Sequence, residues 1–302
     1  MSGHDALAPQ QRIGDHQTPM RGGMLAPLVP PAVRRASVIF DPTLAGWFVR
    51  AALAADIAAW RHAAAGWAWL VPPPAAREVP LAQRCPPLAE FLGAAWPITA
   101  AQGRIPAVDG TIVWPVVAPW RGAAWLAPGT VPGADVAVLE HATPTLLGIL
   151  GSQPVAAYLT RLADRCAREP GDPAIVAQLP LPGAASEHEA VVAHSATQLV
   201  AVTEARAQRA DDGLRRIMRD YAPPGATADA ALRDWWRHDV AVLLAAMRQR
   251  LGGAVPERFV AGFAAWHATE ATALAHLERE RAALEAALDA AVLAWYGDDV
   301  LA

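Results

Sequence analysis

The sequence contains no lysine, so all 25 of its Lys-plus-Arg positions are arginine. Any contact that this chain makes with an anion therefore comes from a planar guanidinium, which can bind in a bidentate manner. The 29 acidic residues outnumber the arginines and leave a net charge of -4. A freestanding, non-specific nucleic-acid binder is normally basic. The composition therefore argues against strong DNA affinity by this chain alone.

Cysteine and long apolar runs are scarce as well. Cys85 and Cys166 are far apart, and neither belongs to a CxxC pair. Their spacing indicates no metal site and fits a reducing, cytoplasmic compartment. Residues 1–20 have no apolar core of the kind found in a signal peptide. No uninterrupted run of about 18 apolar residues occurs, so we expect no membrane span and no membrane partner.

Catalytic motifs are also missing. The sequence has no GxGxxG or GxxxxGKS/T phosphate loop, no GxSxG nucleophile turn and no HExxH zinc motif. His188 and His194 are six positions apart, a spacing that does not place them on one helix face. We therefore predict no catalytic residue and no metal site, and we expect that the chain is not an enzyme on its own. A binding or scaffolding role is what this leaves.

Three zones differ in composition, and together they predict an α+β fold. Residues 1–36 are polar and rich in Gly and Pro, which indicates a flexible N-terminal lead-in. Residues 37–183 hold most of the prolines and alternate between short apolar runs and turns, which predicts mixed structure. Residues 184–302 are rich in alanine with helical spacing, which predicts a helical region.

Short apolar runs in the middle zone predict its strands. In "TIVWPVV", Pro115 favours an edge strand or a bulge. The turn "GTVPGA" separates two further strands. The predicted strands are "SVIF", "WAWLVPP", "TIVWPVV", "AAWLAP" and "DVAVLE".

Helix signals are clearest at three places. "PPLAEFLGAAW" predicts a short helix, and Ser152 with Pro154 predicts the start of another, capped by the serine. Near the C-terminus, apolar residues recur about every 3.5 positions, with Arg281 at one seam position. This pattern fits either an arm of a coiled coil or a helix that covers the core. The seam residues are Leu274, Leu277, Leu284, Leu288, Ala291 and Trp295.

The arginine-rich stretch "EARAQRADDGLRRIMRD" admits two interpretations. Its acidic residues are numerous enough for a solvated helix laced with ion pairs. Its arginines could also contact phosphate groups.

A series of short motifs, each weak alone, occurs in a recognisable order. "VRAALAADIAAW" carries Asp56 and Ile57, and it is followed by "WAWLVPP", "CPPLAEFL" and "TIVWPVVA". "LLGILGSQPVAAYL" carries Ser152, and "AIVAQLPLP" ends with Leu179, Pro180 and Pro182. The closing "LEAALDAAVLAWYG" carries Leu288, Asp289, Val292, Tyr296 and Gly297. The series covers about residues 40 to 297.

This order resembles the TaqI-like C-terminal specificity domain of adenine-specific DNA methyltransferases of type IIG and related phage-defence systems. Two positions depart from the family pattern, because Gly151 stands where an asparagine is usual and Ala55 where a glycine is usual. The "VPPPAA" and "CPPLAE" stretches also lack the acid or amide and the aromatic residue of the family's catalytic motif. The resemblance therefore covers the specificity part and not the catalytic domain.

The resemblance implies a restriction-modification role in DNA target recognition. Residues 37–183 would be the target-recognition domain, and residues 184–302 would brace it or dock a partner. The partners would be double-stranded DNA and a separate methyltransferase chain. That partner chain would bind S-adenosylmethionine, and this chain would bind no cofactor. Both an active split subunit and a decayed fragment fit this interpretation.

Five candidate DNA-facing residues flank the predicted strands: Arg50, Arg61, His62, Arg104 and Arg121. Trp60, Trp114 and Tyr158 are instead expected in the core. Two other hypotheses stay open. One is a protein-interaction scaffold with no DNA role, and the other is a half-sized type I specificity subunit that dimerises through its last helix.

Overall fold

The computed structural model describes residues 12–13, 20–21, 26–63, 66–72, 81–93, 110–117, 119–120, 122–183, 187–252, 255–297 and 300–301. The chain divides into two compact units. The first comprises Met1–Ala196 with Leu288–Ala302, and the second comprises Thr197–Ala287. The fold is mixed α+β with small sheets and long helices, as the sequence predicts. The roles assigned above to residues 37–183 and 184–302 stay predictions.

The described residues of the first unit form short strands, which are arranged in two sheets and a hairpin. Sheet one has the order β1-β10-β7-β8, sheet two has the order β2-β6-β3-β9, and β4 pairs with β5. All pairings are antiparallel except that of β3 with β9, which is parallel. The strands are β1 Met20–Arg21, β2 Leu28–Val29, β3 Phe48–Ala52, β4 Ile57–Ala58, β5 Arg61–His62, β6 Ala68–Leu70, β7 Ile112–Pro115, β8 Ala124–Trp125, β9 Thr130–Pro132 and β10 Val136–Leu139.

Strands β7 and β10 form the buried centre of sheet one. Every residue of both strands is buried, as expected for apolar runs covered on both faces. Pro115 is the last residue of β7. It opposes Val136 of β10, whereas the pairing with β8 ends at Val113. A proline is tolerated here because β8 does not reach this position and requires no N–H from it.

One strand prediction and one turn prediction are wrong. The segment "SVIF" lies in helix α1, Pro31–Phe40, where the Ser37 hydroxyl donates to the carbonyl of Val33. The helix begins at a proline, a residue whose φ suits that position. The predicted turn "GTVPGA" contains strand β9, because Thr130–Pro132 pairs with the distant β3. The predicted lead-in contributes β1, β2 and part of α1, and its flexibility stays a prediction.

Short helices lie between the strands and after them along the chain, and the predicted helix "PPLAEFL" is confirmed as α3. A 3₁₀ helix, Pro42–Trp47, precedes β3, and another, Ala54–Asp56, follows it. The α-helices are α2 Leu81–Arg84, α3 Pro86–Leu92, α4 Pro144–Gly151, α5 Gln153–Cys166 and α6 Pro173–Val176.

The second half of the chain is helical, as predicted. Its elements are α7 Glu187–Tyr221, α8 Ala230–Arg233, the 3₁₀ helix Trp235–Arg237, α9 Val240–Leu251 and α10 Glu257–Tyr296. In the second unit, Trp235 is fully buried and stacks on Trp266 with ring centroids 5.0 Å apart. Leu274, Leu288 and Ala291 of the predicted seam are buried within this chain. A coiled coil with another copy stays a prediction.

Candidate nucleic-acid interface

Two of the predicted DNA-facing residues, Arg61 and His62, form strand β5 of the hairpin. His62 pairs with Ile57, and Arg61 pairs with Ala58. Ile57 is buried in a core cluster with Val113 of sheet one. The family-motif residues Asp56 and Ile57 therefore anchor the hairpin that carries Arg61 and His62, because Ile57 inserts into the core directly opposite His62.

Trp60 fixes the turn of this hairpin. Its φ of 70° is left-handed, which is unusual for a bulky residue. Its backbone N–H donates to the carbonyl of Ala123 at 3.0 Å, and its ring is buried. A Cβ built on Gly151 would lie 2.1 Å from the Trp60 ring, so no side chain fits at position 151. The departure from asparagine at this position therefore has a structural reason in this chain.

The core roles expected for the tryptophans are confirmed. Trp114 is fully buried, and its Nε1–H donates to the carbonyl of Gly171 at 2.9 Å. Trp60 is 2% exposed. Tyr158 is half-buried on α5, so it lies at the edge of the core.

His62 has a defined tautomer. The backbone N–H of Ala127 donates to His62 Nδ1 at 3.3 Å, which places the proton of the neutral ring on Nε2. Burial, followed by the charge of Arg61, lowers the pKa of His62 below its ordinary 6.5. The Nε2 atom is buried and has no hydrogen-bond partner among the described residues. Near neutral pH the ring is a neutral hydrogen-bond donor and not a cation.

A tight turn, Ala127 to Thr130, connects His62 with Arg50. The Thr130 N–H donates to the Ala127 carbonyl at 3.2 Å, and Gly129 has a φ of 69°. Pro128 precedes this glycine, the sequence that a type II turn favours. Thr130 is also the parallel partner of Arg50 in sheet two. Arg50 and His62 therefore lie beside opposite ends of one turn.

Arg50 is exposed at the centre of sheet two. Its neighbours Val49 and Ala51 pack in a core cluster with Trp69 and Val131, so strand alternation directs Arg50 to the other face. The Thr130 hydroxyl beside it is buried without a hydrogen-bond partner among the described residues. An exposed guanidinium of this kind can bind a phosphate or a guanine edge in the major groove.

The structure thus brings together three of the five predicted residues, Arg50, Arg61 and His62. Arg104 and Arg121 lie outside the described residues. Sequence reasoning missed Thr130, which pairs with Arg50 and closes the turn whose other end, Ala127, contacts His62. The Pro128-Gly129 pair could have indicated it, because such a pair predicts a turn and Thr130 is the polar residue directly after it.

Family-motif residues from distant parts of the first unit contact each other. Asp289 Oδ1 accepts a hydrogen bond of 2.9 Å from the backbone N–H of Gln153. The Tyr296 hydroxyl donates to the carbonyl of Pro180 at 2.8 Å. Burial raises the pKa of the Tyr296 hydroxyl well above its ordinary value, and the neighbouring Tyr158 adds to the shift. The closing motif "LEAALDAAVLAWYG" is therefore hydrogen-bonded to both "LLGILGSQPVAAYL" and "AIVAQLPLP".

The remaining motif residues have structural positions at element ends. Ser152 is the N-cap residue of α5, but its hydroxyl donates to the Ile149 carbonyl and does not cap the helix. The predicted serine cap is wrong, because Asp289 occupies that role. Leu179 and Leu288 are fully buried, Pro182 is half-buried, and Gly297 follows the last helix with a φ of 76°.

The described residues lack two kinds of feature. Within them, no group of three His, Cys, Asp or Glu side chains is placed to hold a metal ion. None of the described helices combines the length and the apolar character that crossing a bilayer requires.

Comparisons with known proteins give similarity to solved structures, and it is distant. No family model and no curated protein sequence matches the chain. Among solved structures, the chain is similar to the type IIL restriction-modification enzyme MmeI, solved in complex with DNA, with 13% identity and a TM-score of 0.48. The similarity covers 91% of this chain and 38% of that chain. The chain therefore spans well under half the length of that enzyme.

Proposed function

We propose that this chain is the DNA sequence-specificity module of an adenine-specific DNA methyltransferase and acts with a separate catalytic chain. The observation that carries the proposal is that the family-like motifs contact one another in the fold. Trp60, in the motif that contains Asp56, packs against Gly151, and the closing motif is hydrogen-bonded to Gln153 and Pro180. Motifs that resemble one family in their order therefore also form one connected framework.

The arrangement suits target recognition. A methyltransferase that flips its target base needs another element to read the flanking bases and hold the duplex. The framework presents Arg50 and Arg61 from strands, which hold side chains more rigidly than loops do. Arg50 would contact a base edge or a phosphate. His62, neutral near pH 7, would donate a hydrogen bond through Nε2 if the hairpin moves on binding.

The net charge sets a limit on affinity. A chain of charge -4 gains little from long-range attraction to DNA, so tight binding requires positive surface from the catalytic partner. S-adenosylmethionine would bind to that partner. We therefore expect weak binding of DNA by the isolated chain, and a steep loss of that binding as salt concentration rises.

The test is the adenine methylation pattern of the host strain with and without this gene, measured by single-molecule sequencing. The proposal expects methylation to vanish at one defined motif and to return when the gene is restored. An unchanged methylome would contradict the proposal and favour the scaffold hypothesis. Loss of methylation at every motif at once would indicate a general effect on the host and would also contradict it.

A further inference from the structure

The second unit contains an open cleft of about 820 Å³ that the DNA-specificity proposal does not use. It lies between the ends of α7 and α9 and the start of α10. Its apolar lining includes Tyr221, Leu251, Phe259 and Phe263. Binding clefts for small ligands have volumes of about 300–1,000 Å³ and mostly apolar linings with a few polar groups. The cleft has the size of a binding site, and its lining combines apolar residues with charged ones.

Phe259 is exposed at this cleft, whereas Phe263 on the same helix is packed. Its side chain is 49% exposed, whereas Phe263, one turn later on α10, is 5% exposed. Tyr221 packs edge-on against Phe263 with ring centroids 5.6 Å apart. The cleft therefore has a fixed aromatic floor and one aromatic ring left in contact with solvent.

Gly262 leaves open space at the same cleft. It lies inside α10, where a glycine costs about 1 kcal/mol relative to alanine. A Cβ built there would meet no described atom within 4 Å, so packing within the chain does not require the glycine. Gly262 lines the cleft. The missing side chain leaves the helix backbone open to close approach from the cleft.

The charges at the cleft select for an acidic ligand. Among the described residues that line the cleft, Asp220 is the only acid, and it is already paired with Arg219 at 2.8 Å and with Arg216 at 3.8 Å. Arg258 also lines the cleft, but its guanidinium contacts only the Phe259 ring, 4.8 Å from the centroid, among the described residues. Arg258 therefore has donors available for a carboxylate.

We propose that this cleft binds a short peptide segment of another protein. An apolar side chain of that segment enters the cleft over Phe263, against the open face of Gly262. A neighbouring Asp or Glu of the segment pairs with Arg258. A nucleic acid fits less well, because its sugar-phosphate backbone offers no apolar side chain to cover Leu251 and Phe263 in the lining. This inference stands apart from the DNA-specificity proposal, and either can fail alone.

The experiment is a selection from a random-peptide display library on the full-length chain. Binders are then measured against Gly262→Leu, which fills the cleft with a good helix former, and against Ala282→Leu, a matched change at an exposed position of α10. We expect selected peptides that carry an apolar residue next to Asp or Glu. Their affinity should fall at least tenfold in Gly262→Leu and stay unchanged in Ala282→Leu. Circular dichroism checks that each variant folds.

Three further variants keep the result decisive. Arg258→Gln should remove the acidic preference from a repeated selection, and Arg258→Lys should restore part of it. If Gly262→Leu does not fold, Phe259→Ala tests the same cleft by removing the exposed ring. The proposal is overturned if no peptide distinguishes the wild-type chain from the filled variant. It is also overturned if selected peptides lack an acid, or if a nucleoside monophosphate displaces them from the cleft.

Discussion

Asp289, near the end of the last helix, caps a helix that begins 136 residues earlier. Its carboxylate accepts a 2.9 Å hydrogen bond from the N–H of Gln153, the first residue of α5. A helix start offers N–H groups without partners and a partial positive charge, so a carboxylate there is favourable. One charge-assisted hydrogen bond therefore joins the closing motif to the "LLGILGSQPVAAYL" motif of the first unit.

Replacing this carboxylate should loosen the first unit. We expect Asp289→Ala to lower the free energy of unfolding by about 1 kcal/mol, the usual cost of losing a helix cap. Asp289→Asn, which keeps an acceptor, should lose less. Urea denaturation followed by tryptophan fluorescence measures both. Glu280→Ala, which removes an exposed carboxylate from the same helix, is the control; an equal loss there would contradict the assignment of the cap.

Gly151 should not tolerate a side chain. Any Cβ at this position would overlap the Trp60 ring, so Gly151→Ala is expected to cost about 1–3 kcal/mol, the usual range for overpacking. Gly46→Ala is the control, because its Cβ would meet nothing within 4 Å. In a Trp60→Leu background the same Gly151 change should cost less. Additive losses in that double-mutant cycle would show that the two residues do not interact.

His62 should make the stability of the chain depend on pH. Its pKa is lower in the folded state than its ordinary 6.5, so the unfolded chain binds more protons between these two values. The contribution of the neutral ring is complete above pH 6.5 and is lost as the pH falls towards the folded pKa. Urea unfolding at pH 7, 6 and 5 should show this decline.

His62→Gln should flatten the decline, because glutamine can accept the Ala127 N–H without titrating in this range. The exposed His194 on α7 provides the matched control, since His194→Gln should leave the pH dependence as it is. If the wild-type chain and His62→Gln decline in parallel, His62 does not carry the effect.

Tyr296 should matter through its hydroxyl. The hydroxyl is buried and donates to the Pro180 carbonyl, so Tyr296→Phe leaves that carbonyl with one acceptor contact fewer. We expect a loss of about 1 kcal/mol in the free energy of unfolding. Tyr221→Phe removes a hydroxyl from a half-buried tyrosine of the second unit and should have little effect. An unchanged free energy of unfolding in Tyr296→Phe would show that the hydrogen bond to Pro180 does not stabilise the first unit.

The sequence predicted elements whose signals are local. Strand β7, helix α3 and the helical second half follow from apolar runs, a proline start and helical spacing. Strand β9 was missed because its only partner, β3, lies about eighty residues earlier, and parallel pairing has no local signal. The segment Ser37–Phe40 was assigned to a strand because β-branched residues favour strands, but it continues a helix that began at Pro31.

The candidate site was predictable only in its parts. Arg50, Arg61 and His62 could be chosen because they flank strands, yet their common contact with the turn at Ala127 and Thr130 depends on the tertiary fold. The side chain that caps α5 belongs to Asp289 and not to Ser152, and this is likewise a long-range contact. Local sequence identifies the residue types that a site needs, and the pairing of distant strands decides which of them meet.

Arg50 gives the sharpest test of DNA recognition. Restoring the gene with Arg50→Ala should leave the chain folded, because the residue is exposed and has no ion pair among the described residues. If Arg50 reads a base, the methylated motif should relax at one position, since a bidentate contact contributes about 1–3 kcal/mol of discrimination. If it binds a phosphate, methylation should weaken at all sites and the salt dependence of DNA binding should decrease by about one unit of slope. Arg165→Ala removes the same charge from an exposed position of α5. Equal effects of the two variants would mean that overall charge matters and that Arg50 has no specific contact.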